Sequence, residues 1–225
     1  MKQGTTILTL DNGYHLWSHT DGTNDSIHLL ALHGGPGGNH EYWENFHDEL
    51  LKQGLDVQVH YYDQLGSWYS DQPDYSDPEI AEKYLSYDYF LDEVEEVRQN
   101  SALTLLLDRS ILGGALTMMY ALKYGEHLKG AIISSMVDNI DEYLEHQDAI
   151  RDEALAPEDA QFMRDCEKSG DWDNERYQKL VDVLNAGYVD RKQPVAIRHL
   201  VPTMATPVYN AFQGDNEFVV TGKLK

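Results

Sequence analysis

The chain has 225 residues, enough for one ordinary domain with room for an inserted lobe. Its 15 Tyr and lack of any low-complexity run imply a packed core. A formal net charge of -22 excludes nucleic acid and anionic membrane as expected partners, since both need a basic surface. Cys166 is the single cysteine, so no intrachain disulfide can form, and a reducing, cytoplasmic setting is expected. Its polar neighbours Arg164, Asp165, Glu167 and Lys168 read as a helix carrying a surface thiol. Residues Met1 to Thr5 lack the apolar core of a signal peptide, and no apolar run approaches membrane-spanning length.

Asp11-Asn12-Gly13 is a hairpin signal that joins predicted strands Thr5 to Leu10 and Tyr14 to Ser18. Ile27 to Leu32 reads as a buried strand and Tyr42 to Leu51 as an amphipathic helix. Val57 to Tyr62 is a strand ending in Asp63-Gln64-Leu65-Gly66, and Gln72 to Pro78, with two prolines, is a loop. Tyr87 to Gln99 forms a helix whose Asp92-Glu93-Val94-Glu95-Glu96 run reads as a solvated face. Leu103 to Leu107 is a strand and Ala115 to Tyr124 a helix, with Leu116, Met119, Tyr120 and Leu122 available to a core. Ala131 to Ser134 is a short strand. Alternation of this kind predicts a mostly parallel sheet in a three-layer α/β arrangement. From Asp138 to Leu200 only helix and loop signals follow, which predicts a helical lobe.

Ligands of such sheets bind beyond the carboxyl ends of the strands. Three segments fall there. The first, His33-Gly34-Gly35-Pro36-Gly37-Gly38, leaves an apolar strand. Its glycines let backbone N–H groups approach a developing negative charge, as an oxyanion hole requires. The second is Asp63 to Gly66. The third, Asp108-Arg109-Ser110-Ile111-Leu112-Gly113-Gly114, occupies the place of a nucleophile elbow, Gly-x-Ser-x-Gly. Asp108 and Leu112 stand where that elbow needs glycines to relieve crowding, so Ser110 is a candidate nucleophile in an altered turn. Its alternative is an ordinary turn residue.

These segments resemble the proline iminopeptidase family of α/β-hydrolases, over nearly the whole chain. His33-Gly34-Gly35-Pro36-Gly37 is similar to the family's oxyanion signature. Asp63-Gln64-x-Gly66 resembles its next loop, with Leu65 where many members have Arg. Gly113-Gly114, Tyr120 to Tyr124 and Gly125 to Gly130 look like the segment after its nucleophile, and Gly214-Asp215-Asn216-Glu217-Phe218 like its cap motif. The resemblance implies an α/β-hydrolase fold: a mostly parallel sheet flanked by helices, with a helical cap. It divides the chain into a core at 1–137, a cap at 138–218 and the start of a return to the core at 219–225. It implies no cofactor and no metal, and small peptides with N-terminal proline as partners. In that chemistry a histidine-activated serine attacks the carbonyl after the proline. N–H groups near Gly34 and Gly35, with that of Ile111 if Ser110 serves, hold the oxyanion, and Glu217 holds the substrate's α-amino group.

The resemblance lapses locally between Asn100 and Leu112. Codon degeneracy lets Asp108 to Gly113 be written GAT CGG TCA ATC CTG GGG, which one base later reads Ile-Gly-Gln-Ser-Trp-Gly. The stretch is therefore read as an elbow translated out of frame, with the family's serine falling at Ile111. The family's acid and histidine, and the strands that hold them, are expected past Lys225, so the chain is read as truncated relative to the family and the edge near Ala131 to Ser134 as unprotected. His146 and His199 in the lobe read as surface or packing residues. Three readings stay open: an inactive hydrolase by descent, an active hydrolase using Ser110, and a non-catalytic peptide-binding protein.

Overall fold

The computed structural model describes residues 3–24, 26–34, 37–101, 105–108, 111–134, 136–189, 203–212, 220–221 and 223. Six strands make one sheet: β1 (Gly4–Thr9), β2 (His15–Asp21), β3 (His28–Leu32), β4 (Gln58–Tyr62), β5 (Leu105–Asp108) and β6 (Gly130–Ile133). Their order is β1-β2-β4-β3-β5-β6. The hairpin β1–β2 is antiparallel, as is β2–β4, whereas β4, β3, β5 and β6 run parallel. The mixed sheet follows from chemistry legible in the chain. Asn12-Gly13 turns tightly with Gly13 at φ 90, and the central strands β3 and β4 are buried on both faces, whereas β6 is exposed.

Alternation along the strands sorts two cores. Leu30, Leu32 and Tyr62 point to one face, where they meet Phe90, Val94 and Val97 of α3 (Tyr87–Ser101) and Leu116 and Tyr120 of α4 (Ile111–Tyr124). Leu29, Ala31, Val59 and Tyr61 point to the other, against Trp43, Phe46 and Leu50. Each fully buried aliphatic side chain stabilises the fold by roughly 1.5–3 kcal/mol. The helix expected at Tyr42 to Leu51 is two pieces, a 3₁₀ turn at His40–Trp43 and α1 (Phe46–Lys52). Asn39 accepts from the N–H of Glu41 and caps the first piece, and the run is interrupted at Glu44 and Asn45, the latter at the N-cap position of α1. The loop expected to end at Pro78 is followed by α2 (Pro78–Tyr84), capped by Asp77 with Pro78 in its first turn. Leu122, expected to be available to the core, is exposed.

Contacts group Met1–Asp138 with Ala196–Lys225 as one unit and Asn139–Val195 as another, whereas the resemblance places the cap at 138–218. The second unit holds α5 (Ile140–Ala154), α6 (Pro157–Ser169) and α7 (Glu175–Leu184), then a π-helical turn at Asn185–Val189. Met163, Cys166 and Tyr177 form its small core. Cys166 is thus buried, not a surface thiol: three residues past Met163, it shares that residue's inward face despite polar neighbours. Back in the first unit, α8 (Thr206–Ala211) buries Val208. Among the described residues, no helix is long and apolar enough to cross a membrane.

Candidate active site

The parallel strands bring the three predicted segments to one edge. Register pairs Ala31 with Tyr61 and Leu32 with Asp108, so the chain leaves β3, β4 and β5 side by side at His33, Asp63 and Asp108. Helix α4 starts at Ile111, and its first N–H groups have no partner within the helix. His33, Gly34, Gly37 and Ile111 therefore lie where an oxyanion site is expected. Ser110, Gly35, Pro36, Glu217 and His199 lie outside the described residues. His146 lines a cavity of about 470 Å³ within the helical unit, lined also by Arg151 and Glu167, which pair at 2.7 and 3.1 Å.

His33 begins the glycine loop but does not offer a base. Its Nε2 accepts the N–H of Gln64 at 2.9 Å, so the proton sits on Nδ1, 3.3 Å from the Gly34 carbonyl oxygen. Burial pushes the imidazole down to about 4, against the opposing pull of the Asp63 carboxylate, and the ring stays neutral at ordinary pH. It is a clasp between two loops.

Asp63 is a second clasp. Its Oδ1 accepts the backbone N–H of His40 at 2.8 Å and the Nδ1–H of the same residue at 2.9 Å, while Oδ2 accepts the N–H of Tyr69 at 3.3 Å. The pair looks like the carboxylate–imidazole couple of a hydrolase, yet it has no free face. The His40 ring is stacked between Trp17 and Trp68, with centroids 3.8 and 4.9 Å away, and Nε2 faces Glu44 at 3.7 Å. It also stands on the β2 side of the sheet, away from β5.

Glu93 supplies a third clasp, contrary to the solvated face expected from its acidic run. It is 2% exposed, and Glu95 is buried too. Glu93 lies three residues after Phe90 and four before Val97, which puts it on the apolar stripe of α3. Its Oε2 accepts the N–H of Leu65 at 3.1 Å. Burial pushes its carboxyl up to about 8. Three consecutive loop residues, Asp63, Gln64 and Leu65, are thus each held by a buried side chain from another segment. Spacing flagged the loop, but not the side chains that hold it.

Two glycines let α8 close over these loops. Gly37 has φ 72 and its carbonyl oxygen accepts the N–H of Ala205 at 2.8 Å; a Cβ there would meet the Ala205 carbonyl oxygen at 2.7 Å. Gly66 has φ 84, and a Cβ would meet the Tyr75 hydroxyl at 2.5 Å and Val208 at 3.0 Å. Asn39 donates to Thr203 at 2.9 Å and adds a polar tie. Among the described residues, no group of three or more His, Cys, Asp or Glu could hold a metal ion.

A mixed sheet with a glycine-rich segment after β3, helix α4 following β5 and a separate helical unit defines an α/β-hydrolase, and residues 27–224 match the family model for the alpha/beta hydrolase fold. The proline iminopeptidase of Flavobacterium johnsoniae is 34% identical over 228 aligned positions, which cover 97% of this chain and 73% of that protein. The proline iminopeptidase of Elizabethkingia meningoseptica is 35% identical, with 94% of this chain and 70% of the relative covered. In fold, the crystal structure of proline iminopeptidase from Mycobacterium smegmatis superposes with a TM-score of 0.78 at 22% identity, over 98% of this chain and 74% of that one. The chain belongs to the proline iminopeptidase family of α/β-hydrolases.

Proposed function

We propose that this chain carries the peptide-capturing half of a proline iminopeptidase site, working on small peptides with N-terminal proline in the cytoplasm, and that its 225 residues do not by themselves turn such peptides over. The observation that carries the reading is the contrast between two loops at one edge. The glycine loop is held by His33 and, through Gly37, by Ala205, in the way an oxyanion site needs. The elbow after β5 has Asp108 and Leu112 where a strained strand-to-helix turn requires glycine. In this reading N–H groups of the loop, with that of Ile111, would face the carbonyl after the proline, and Glu217 would take the charged amine. Ser110 is the candidate nucleophile, in an elbow whose sequence lacks the flanking glycines at 108 and 112.

A chromogenic proline amide tests this. No release above the uncatalysed rate is expected, and Ser110→Ala should change nothing. Turnover abolished by Ser110→Ala would overturn the inactivity and make the chain an active serine hydrolase. Saturable binding of a proline-terminated peptide by calorimetry, lost when its amine is acetylated, would support the capturing role. Reading the DNA across codons 100–113 decides the reading-frame origin of the elbow: codons other than the shifted string would end it.

A further inference from the structure

Glu93 is a buried carboxyl that the oxyanion chemistry above does not use. Its Oε2 holds the Leu65 N–H, whereas Oε1 and the neighbouring hydroxyl of Tyr62 are both buried without a formed hydrogen bond. The groups that face it come from several elements: Tyr62 from β4, Tyr89 and Glu96 from α3 itself, and Tyr75 from the loop ahead of α2. From α4, Tyr120 turns its hydroxyl to Glu95 instead. Leu65 follows Gln64, whose N–H is held by His33 at the root of the glycine loop.

We propose that Glu93 is a proton-dependent latch: protonated, it holds Leu65 and so positions the Asp63–Gly66 loop and the glycine loop clasped to it; ionised, it releases them. The proton belongs on Oε1, where it can be shared with the unpartnered Tyr62 hydroxyl. Losing it leaves a buried charge that the Leu65 N–H and the Tyr62 and Tyr89 hydroxyls favour but that burial outweighs, with Glu96 adding repulsion and no cation among the described groups that act on it, an arrangement relieved when the loop lifts and water enters. The closed loop thus binds the proton more tightly than the open loop. Linkage makes opening roughly tenfold more frequent per pH unit until the closed-state carboxyl itself ionises, near pH 8, after which opening levels off. The proposal concerns conformation and holds whether or not the chain turns over a peptide.

The test is hydrogen–deuterium exchange of the whole 225-residue chain, read on peptides covering Leu65 to Ser70 and divided by the intrinsic exchange rate at each pH. In the native chain the corrected opening should rise from pH 6 and level off near pH 8. In Glu93→Gln, which keeps an acceptor for Leu65 and a donor for Tyr62 but cannot ionise, it should stay flat. A flat native profile, or the same slope in Glu93→Gln, overturns the proposal. Should Glu93→Gln not fold, Tyr62→Phe gives a second test. The Tyr62 hydroxyl favours the ionised carboxyl, so its removal should move the levelling point to higher pH. A levelling point that does not move also overturns the proposal.

Discussion

At the scale of single residues, the site rests on backbone conformations that side chains would forbid. Gly37 sits at φ 72 with the Ala205 carbonyl oxygen against the position of its absent Cβ. Alanine there would carry the left-handed strain and a 2.7 Å overlap with backbone, which cannot rotate away as a side chain can. Gly37→Ala should destabilise the first unit by about 2 kcal/mol or more. For a chain of this size that lowers the melting temperature by roughly 4–8 °C. Thermal unfolding followed by circular dichroism measures it, and an unchanged midpoint would mean that α8 is free to move off the loop. Gly13, also at positive φ, has open space where its Cβ would be, so Gly13→Ala serves as a control that carries strain without overlap.

At the scale of elements, the strands and the edge they share could be read from the chain, because apolar runs bounded by turn residues leave few alternatives. Ile27 to Leu32 and Val57 to Tyr62 lie within one residue of β3 and β4. Helix α3 was also legible, but not what its acidic run does. Composition says that Asp92 to Glu96 is solvated, while the helical phase puts Glu93 between Phe90 and Val97. Phase wins, since a helix cannot turn one residue outward without moving its neighbours. The clasps escaped for a different reason: His33 and Gln64 meet only because β3 and β4 are adjacent, which register decides and local pattern does not. Strand β6 is one of the two sheet edges among the described residues, the other being β1, and Ile132 and Ile133 expose 52% and 39% of their surface on alternate faces. Such an edge offers unpaired backbone and apolar side chains to another chain. Ile132→Lys should suppress concentration-dependent light scattering while changing stability by about 0.5 kcal/mol or less, as surface substitutions do. Equal scattering in both proteins would move the sticky surface elsewhere.

For the whole molecule, the buried titratable groups pull stability in opposite directions with pH. Burial lowers His33 to about 4 and His60 to about 3, so the folded state binds fewer protons there than the unfolded chain does. Their contribution is complete above about pH 6.5 and is lost as pH falls through those values. Glu93, raised from 4.5 to about 8, has the reverse sign: its folded form keeps a proton the unfolded chain has released, and stability drains away as pH rises through that window. Between 4.5 and 6.5 two histidines oppose one glutamate and stability climbs; above 6.5 the glutamate acts alone and it falls. The maximum should lie near pH 6.5, with a decline of about 2 kcal/mol by pH 8. The net charge of -22 adds self-repulsion to the same alkaline limb, and salt separates the two causes. Melting temperatures at pH 6.5 and 8, each in low salt and in 0.5 M NaCl (about a 4 Å screening length), should converge only in part for the native chain. With Glu93→Gln the same salt should remove the remaining difference. Full convergence of the native chain in salt would assign the alkaline limb to surface charge and leave Glu93 no part in it.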